Sequence, residues 1–257
     1  MARIVSVHSF RGGTGKSNLT ANLATLVAEA GYRVGIVDTD IQSPGIHVLF
    51  GLEEAQFDRS LNDYLWGNCT IEEAAYPVDM PGISGSLSII PSSLNTGEIA
   101  RILRDGYDVA MLNDGFREII QRLSLDYLFV DTHPGLNEET LLSITISDVV
   151  LLVLRPDRQD YQGTRVTVEV ARQLAVPELY LVMNKVPKSF DAEAVGEQAA
   201  ETFQAPVVGV LAHSDDMMAL GSADVFARVF PDHPLSRALG AIAERIMAVP
   251  TAEPERP

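Results

Sequence analysis

Arg-Ile-Val-Ser-Val-His-Ser-Phe-Arg-Gly-Gly-Thr-Gly-Lys-Ser occupies residues 3–17. Its first six residues read as a buried strand, and residues 11–15 as a glycine-rich turn. Residues 16–30 then read as a helix, with Leu19, Leu23, Leu26 and Val27 on one stripe and Gly31 just past its end. Arg-Val-Gly-Ile-Val-Asp at 33–38 is a second strand. A strand–helix–strand unit of this kind opens a parallel sheet.

The alternation continues outward. Short helices are expected at 61–66 and 71–75, and a Pro/Gly/Ser-rich loop at 77–86. Strands are expected at 87–91, 125–131, 148–154, 179–184 and 206–211. Helices are expected at 96–105, 108–123, 137–146, 158–175, 191–202, 222–230 and 234–248. With no internal repeat and no long linker, the expectation is one α/β domain over 1–249, a twisted, mostly parallel sheet with helices on both faces. The tail 250–257 is expected to be disordered.

Composition narrows the class. The chain has 257 residues, 46% of them apolar, which suits one large domain with a real core. It has no apolar run of about 18 residues, so no membrane-spanning helix is expected. Its first residues lack a signal-peptide pattern. The single cysteine, Cys69, is expected to exclude an intrachain disulfide framework and any cluster needing several thiolates. A cytoplasmic protein is expected. The net charge of −16 opposes binding to nucleic acid or anionic lipid.

The segment between the first strand and helix carries the chemistry. Gly12, Gly13 and Gly15 let successive backbone N–H groups turn inward as an anion cradle running through Arg11, Gly12, Gly13, Thr14, Gly15, Lys16, Ser17 and Asn18. The helix N-terminus adds its positive end. Lys16 can reach β- and γ-phosphate oxygens, and the Ser17 hydroxyl can ligate Mg²⁺.

At Arg11–Ser17 the chain resembles the MinD/ParA family of deviant Walker A (P-loop) ATPases, whose pattern is K-G-G-x-G-K-[ST]. Arg11 stands in place of the signature lysine, and Phe10 where a standard phosphate loop has its first glycine. The resemblance implies a P-loop fold, ATP and Mg²⁺ as ligands, and a nucleotide-sandwich homodimer in which residue 11 reaches the partner's phosphates. The alternative for Arg11 is a local salt bridge. Asp38 and Asp40, in Ile-Val-Asp-Thr-Asp, look like the family's paired aspartates. By that resemblance Asp40 positions the attacking water and Asp38 lies near the magnesium. Phe-Val-Asp-Thr-His-Pro-Gly at 129–135 looks like a Walker B strand, with Asp131 toward magnesium. His133 takes a position where the family usually has Pro, and a lone loop histidine is most simply incidental. Asn184, in Val-Met-Asn-Lys, matches the family's adenine contact. Pro187 stands where a guanine reader needs a carboxylate, so ATP is favoured. Arg-Pro-Asp at 155–157 resembles a segment that often meets the dimer partner.

The expected function is a slow, partner-stimulated, Mg²⁺-dependent ATPase acting as a dimerisation switch in positioning or partitioning of DNA, a membrane-associated cargo or a protein cargo. Lys16, Asp40 and Arg11 are the expected catalytic residues. A protein activator or cargo adaptor is expected. DNA would need clusters such as Arg101 with Arg104, Arg117 with Arg122, or Arg155 with Arg158 and Arg165, against the net charge. The last helix, with two Arg and no Lys or aromatic residue, is a poor membrane anchor. The alternatives are a nucleotide-gated scaffold with little hydrolysis and an ATP-dependent small-molecule ligase. Cluster carriers of this fold use paired cysteines, which Cys69 alone does not provide.

Overall fold

The computed structural model describes residues 2–53 and 56–249. Strand β1 (Arg3–His8) lies inside a sheet between β5 (Tyr127–Asp131) and β6 (Val149–Leu154), parallel to both. With β2 (Arg33–Asp38), β3 (Tyr76–Pro77), β4 (Ser86–Ile90), β7 (Glu178–Val186) and β8 (Val207–Ala212), the order is β3-β4-β2-β5-β1-β6-β7-β8. All neighbours are parallel except the edge pair β3–β4, where Tyr76 faces Ile89.

Every residue of β5 and β6 is buried, which is why their sequences read as unbroken apolar runs. Their side chains still alternate between faces. On β5, Tyr127 and Phe129 enter the core shared with α1 (Lys16–Glu29) and α10 (Pro234–Met247). Leu128 and Val130 point into the opposite core, under α3 (Thr96–Asp105) and α4 (Ala110–Arg122). A third cluster joins Val150 and Leu181 to α6 (Arg158–Gln173) and α7 (Ala192–Phe203). Two-sided burial confirms the α/β class expected from sequence. The remaining helices are α2 (Leu61–Leu65), α5 (Glu138–Ile146), α8 (Asp215–Leu220) and α9 (Phe226–Val229).

The differences from the sequence reading are local. Residues 71–75 form a turn rather than a helix. Thr70 donates its N–H (2.8 Å) and hydroxyl (3.1 Å) to Glu73, closing one turn that packing does not extend. Tyr76–Pro77 pairs as an edge strand, where a proline without N–H is tolerated. Residues Ile46–Phe50 form a 3-10 turn, and α8 is an additional helix capped by the Ser214 hydroxyl. The expected disordered tail, 250–257, lies outside the described residues. Among the described residues no helix is long and apolar enough to cross a membrane.

Candidate functional site

Strands β1, β2 and β5 end side by side in His8, Asp38 and Asp131, at the carboxyl edge of the sheet where ligands of parallel α/β folds collect. The loop after β1 turns through Gly13 (φ 77°) and Gly15 (φ 96°). Both lie in the left-handed region that favours glycine. A Cβ on Gly15 would also sit 2.6 Å from the Asn184 Nδ2. Gly15 opens α1 without any side-chain cap, so the helix presents uncapped N–H groups and its dipole to the loop.

Lys16, at the first position of α1, is only 7% exposed. Burial lowers its pKa, while Asp131, Asp40 and Asp38 oppose the shift by favouring its charged form. Asp38 and Asp131 are register partners on adjacent strands and both are fully buried. Burial, then repulsion from Asp131, pushes the Asp38 carboxyl well above the usual carboxylate range, although it accepts backbone N–H groups of Asp40 (3.0 Å) and Gly45 (3.1 Å). Burial pushes Asp131 up to about 6, against hydrogen bonds from the Ser17 and Thr20 hydroxyls and the charge of Lys16. Two acids crowded beneath a single lysine are short of positive charge.

His8 is fully buried. The Thr132 hydroxyl donates to the Val7 carbonyl (3.0 Å), so its oxygen accepts from His8 Nδ1 (2.7 Å). That assigns the proton to Nδ1 and leaves Nε2 as an acceptor with no hydrogen-bond partner among the described residues. Burial, then the charges of Lys16 and His133, holds the ring's pKa down at about 3.

The other residues singled out from sequence fall around this centre. Asp40 lies beyond the end of β2 and meets His133, whose Nδ1 is 2.7 Å from its Oδ1. Arg11 turns toward the start of α6. Its Nη1 donates to Gln159 Oε1 and lies 3.6 Å from Asp160 and 3.9 Å from Asp157. Asp160 is already held by Arg155 at 3.0 Å, so the 155–157 segment and the loop form one charged cluster. Phe10 fills a slot on the same helix that exists because residue 163 is glycine: a Cβ there would lie 2.0 Å from the Phe10 ring. The Asn184 amide is engaged by the loop itself, with Nδ2 donating to the Thr14 carbonyl (2.8 Å) and Oδ1 accepting from the Lys185 N–H (2.9 Å). Lys185 Nζ donates to the Gly13 carbonyl at 2.8 Å.

Beside the loop opens a cavity of about 270 Å³, mostly apolar, with Asn18, Leu19, Asn184, Leu211, Met217 and Leu239 in its wall. A mostly apolar wall with a few polar groups is the usual make-up of a small-ligand site. Helix α8, unforeseen from sequence, supplies Met217. Sequence reasoning also missed the brace by Lys185 and the contact of His133. The departure from Pro at 133 was the one available signal for the latter.

Comparison with known proteins agrees with this geometry. Residues 1–247 match the family model ParA, described as NUBPL iron-transfer P-loop NTPase. The chain is 27% identical over 253 residues to an uncharacterised ATP-binding protein of Methanocaldococcus jannaschii, covering 96% of this chain and 88% of that one. It is 31% identical over 186 residues to an iron-sulfur cluster carrier protein of Methanococcus maripaludis, covering 70% of this chain but only 59% of that protein. Its fold matches the septum site-determining protein MinD of Pyrococcus horikoshii, solved with Mg-ADP, at a TM-score of 0.80 and 21% identity over 96% of this chain and 97% of that one. The chain belongs to this ParA family and is an ATP-binding P-loop NTPase of MinD/ParA type.

Proposed function

We propose that the chain is a slow ATPase whose nucleotide state switches it between monomer and dimer. The observation that carries this reading is the convergence of Lys16, Asp38, Asp131 and Asp40 on the uncapped start of α1. In this reading the amides of residues 12–18 and Lys16 hold the phosphates, and the 270 Å³ cavity takes the adenine with Asn184 in its wall. Magnesium fits the donor set: two buried carboxylates in register and a serine hydroxyl already bonded to one of them. Ser17 and Asp131 would hold it, with Asp38 beside them. Once bound, the ion neutralises charge on the β- and γ-phosphate oxygens. Asp40 orients the attacking water toward the γ-phosphorus.

Arg11 is the residue to reach a partner's phosphates. That step exchanges its exposed contact with Gln159 for a charge-assisted bond to phosphate. ATP at about a thousandfold over its dissociation constant biases the bound state by about 4 kcal/mol. A dimer with nucleotide in its interface can be driven by that bias and released when hydrolysis removes the γ-phosphate contacts.

Three of the seven arginines that DNA binding would need are paired with acids. Arg104 meets Asp105 (2.7 Å), Arg122 meets Glu118 (3.6 Å) and Arg155 meets Asp160. With the net charge of −16, this supports a protein adaptor or activator over DNA. Cys69 does not support cluster carriage in the manner of the named relative. It is half-buried against the core that lies under α3 and α4, and burial pushes its thiol up to about 11.

Light scattering with and without Mg-ATP tests the switch. The expected result is an ATP-dependent dimer, most persistent for Asp40→Ala and absent for Lys16→Ala. A monomer under all these conditions contradicts it. A phosphate-release assay with Asp40→Ala as control separates the ATPase from a scaffold that only binds nucleotide.

A further inference from the structure

The Asp40 side chain lies in a loop whose backbone is fixed from below. Asp38 accepts the N–H groups of Asp40, Gly45 and Ile46, which pins the course of the chain but leaves the Asp40 carboxylate free to rotate about its last bond. Two donors remove that freedom. The Ser43 N–H donates to Oδ1 at 3.2 Å, and His133 Nδ1, 93 residues away, lies 2.7 Å from the same oxygen. The other oxygen accepts no hydrogen bond among the described residues. His133 is itself held on a clamped loop. Gly135 N–H donates to the Ser9 carbonyl at the root of the phosphate loop (3.1 Å), and the Thr140 hydroxyl donates to the His133 carbonyl (3.4 Å). Both side chains of the pair are largely shielded, at 21% and 15% exposure, so water competes weakly for the bond.

We propose that His133 is a positioning residue for hydrolysis: by donating from Nδ1 to Asp40 Oδ1 it fixes the carboxylate so that Oδ2 faces the γ-phosphate site and holds the attacking water. This inference rests on the ATPase reading above. A proline at position 133 offers no side-chain donor, so a chain carrying one must orient this carboxylate by other means. The role belongs to Nδ1 alone. Asparagine carries a donor at the topologically equivalent atom, whereas glutamine carries it one bond further out.

Steady-state phosphate release by the full chain tests this, with Mg-ATP affinity measured by calorimetry in parallel. His133→Ala is expected to lower kcat by roughly ten- to a hundredfold, the scale of a misplaced reactant, and to leave KM and Mg-ATP affinity within about twofold, the mark of an interaction used only in the transition state. His133→Asn is expected to recover most of kcat, and His133→Gln to remain as slow as the alanine variant. Adding His133→Ala to Asp40→Ala is expected to slow the reaction no further, because both changes remove one unit. Full kcat in His133→Ala overturns the inference and leaves the ATPase reading standing. Equal losses in the Ala and Asn variants, or a loss seen in KM and affinity alone, also overturn it. A wild type that binds Mg-ATP but releases phosphate no faster than Asp40→Ala overturns the ATPase reading, and this inference with it.

Discussion

Asp38 and Asp131 face each other as register partners at the ends of β2 and β5, both out of contact with water, with one buried lysine as their nearby cation. The pairing is costly in the nucleotide-free chain. Asp131, pushed up from 3.8 to about 6, binds a proton in the folded state that it has lost in the unfolded chain at the same pH. Its contribution to stability is therefore complete below about pH 4 and is lost as pH rises through about 6.

Asp131→Asn is expected to stabilise the nucleotide-free protein relative to wild type by a few kcal/mol at pH 7, a difference that shrinks toward zero near pH 4. Urea midpoints across pH 4.5–8 measure it. Comparing the two proteins cancels His8, whose depressed pKa works in the opposite sense, removing stability as pH falls below 6.5. Saturating Mg-ADP is expected to reverse the order, because only wild type gains the full binding energy.

Gly163→Ala is expected to cost about 1–3 kcal/mol through overpacking, because a new Cβ would meet the Phe10 ring at 2.0 Å and the Phe10 Cβ at 2.8 Å. Rotating the ring away does not remove the second contact. Phe10→Ala in the same chain is expected to recover most of the loss, and thermal unfolding of the four proteins of this double-mutant cycle reports the coupling.

Asn184→Ala removes the brace on the Thr14 carbonyl, and Lys185→Ala the brace on the Gly13 carbonyl. Each is expected to weaken Mg-ADP binding by about tenfold, the scale of one hydrogen bond that holds a binding loop in place. Titration calorimetry reads this directly, and unchanged affinity in both variants would show that the phosphate loop holds its shape unaided.

Arg11→Ala is expected to leave the monomer's Mg-ADP affinity within about threefold, since in the isolated chain its guanidinium is turned toward Gln159 and Asp160. Dimer formation with Mg-ATP is expected to be lost. Arg11→Lys keeps the charge but not the planar fork, and is expected to dimerise more weakly than wild type. Sedimentation with ATP in the Asp40→Ala background measures all three.

The sequence carried most of the architecture because the parallel strands are buried on both faces and announce themselves as apolar runs, as in Val149–Leu154. It also placed Lys16, Asp38 and Asp131 together, since the end of a strand is legible and parallel strands align their ends. It was weaker where a contact joins distant segments. The slot between Phe10 and Gly163 joins segments too far apart to leave a local pattern. A salt bridge for Arg11 was foreseen as an alternative but not its acids at the start of α6. The departure from Pro at His133 was visible but not its partner Asp40. The edge strand Tyr76–Pro77 and the six-residue helix α8 were missed for a different reason, being too short for either period to register.

The crevice at the carboxyl edge of the sheet is expected to grip a magnesium nucleotide through Lys16, and titration calorimetry of the folded chain with Mg-ATP measures this. One saturable site per chain is predicted, weakened by chelating magnesium and lost in Lys16→Ala. Folded wild type that releases or absorbs no heat at several temperatures, or a Lys16→Ala variant that binds as tightly as wild type, would contradict it.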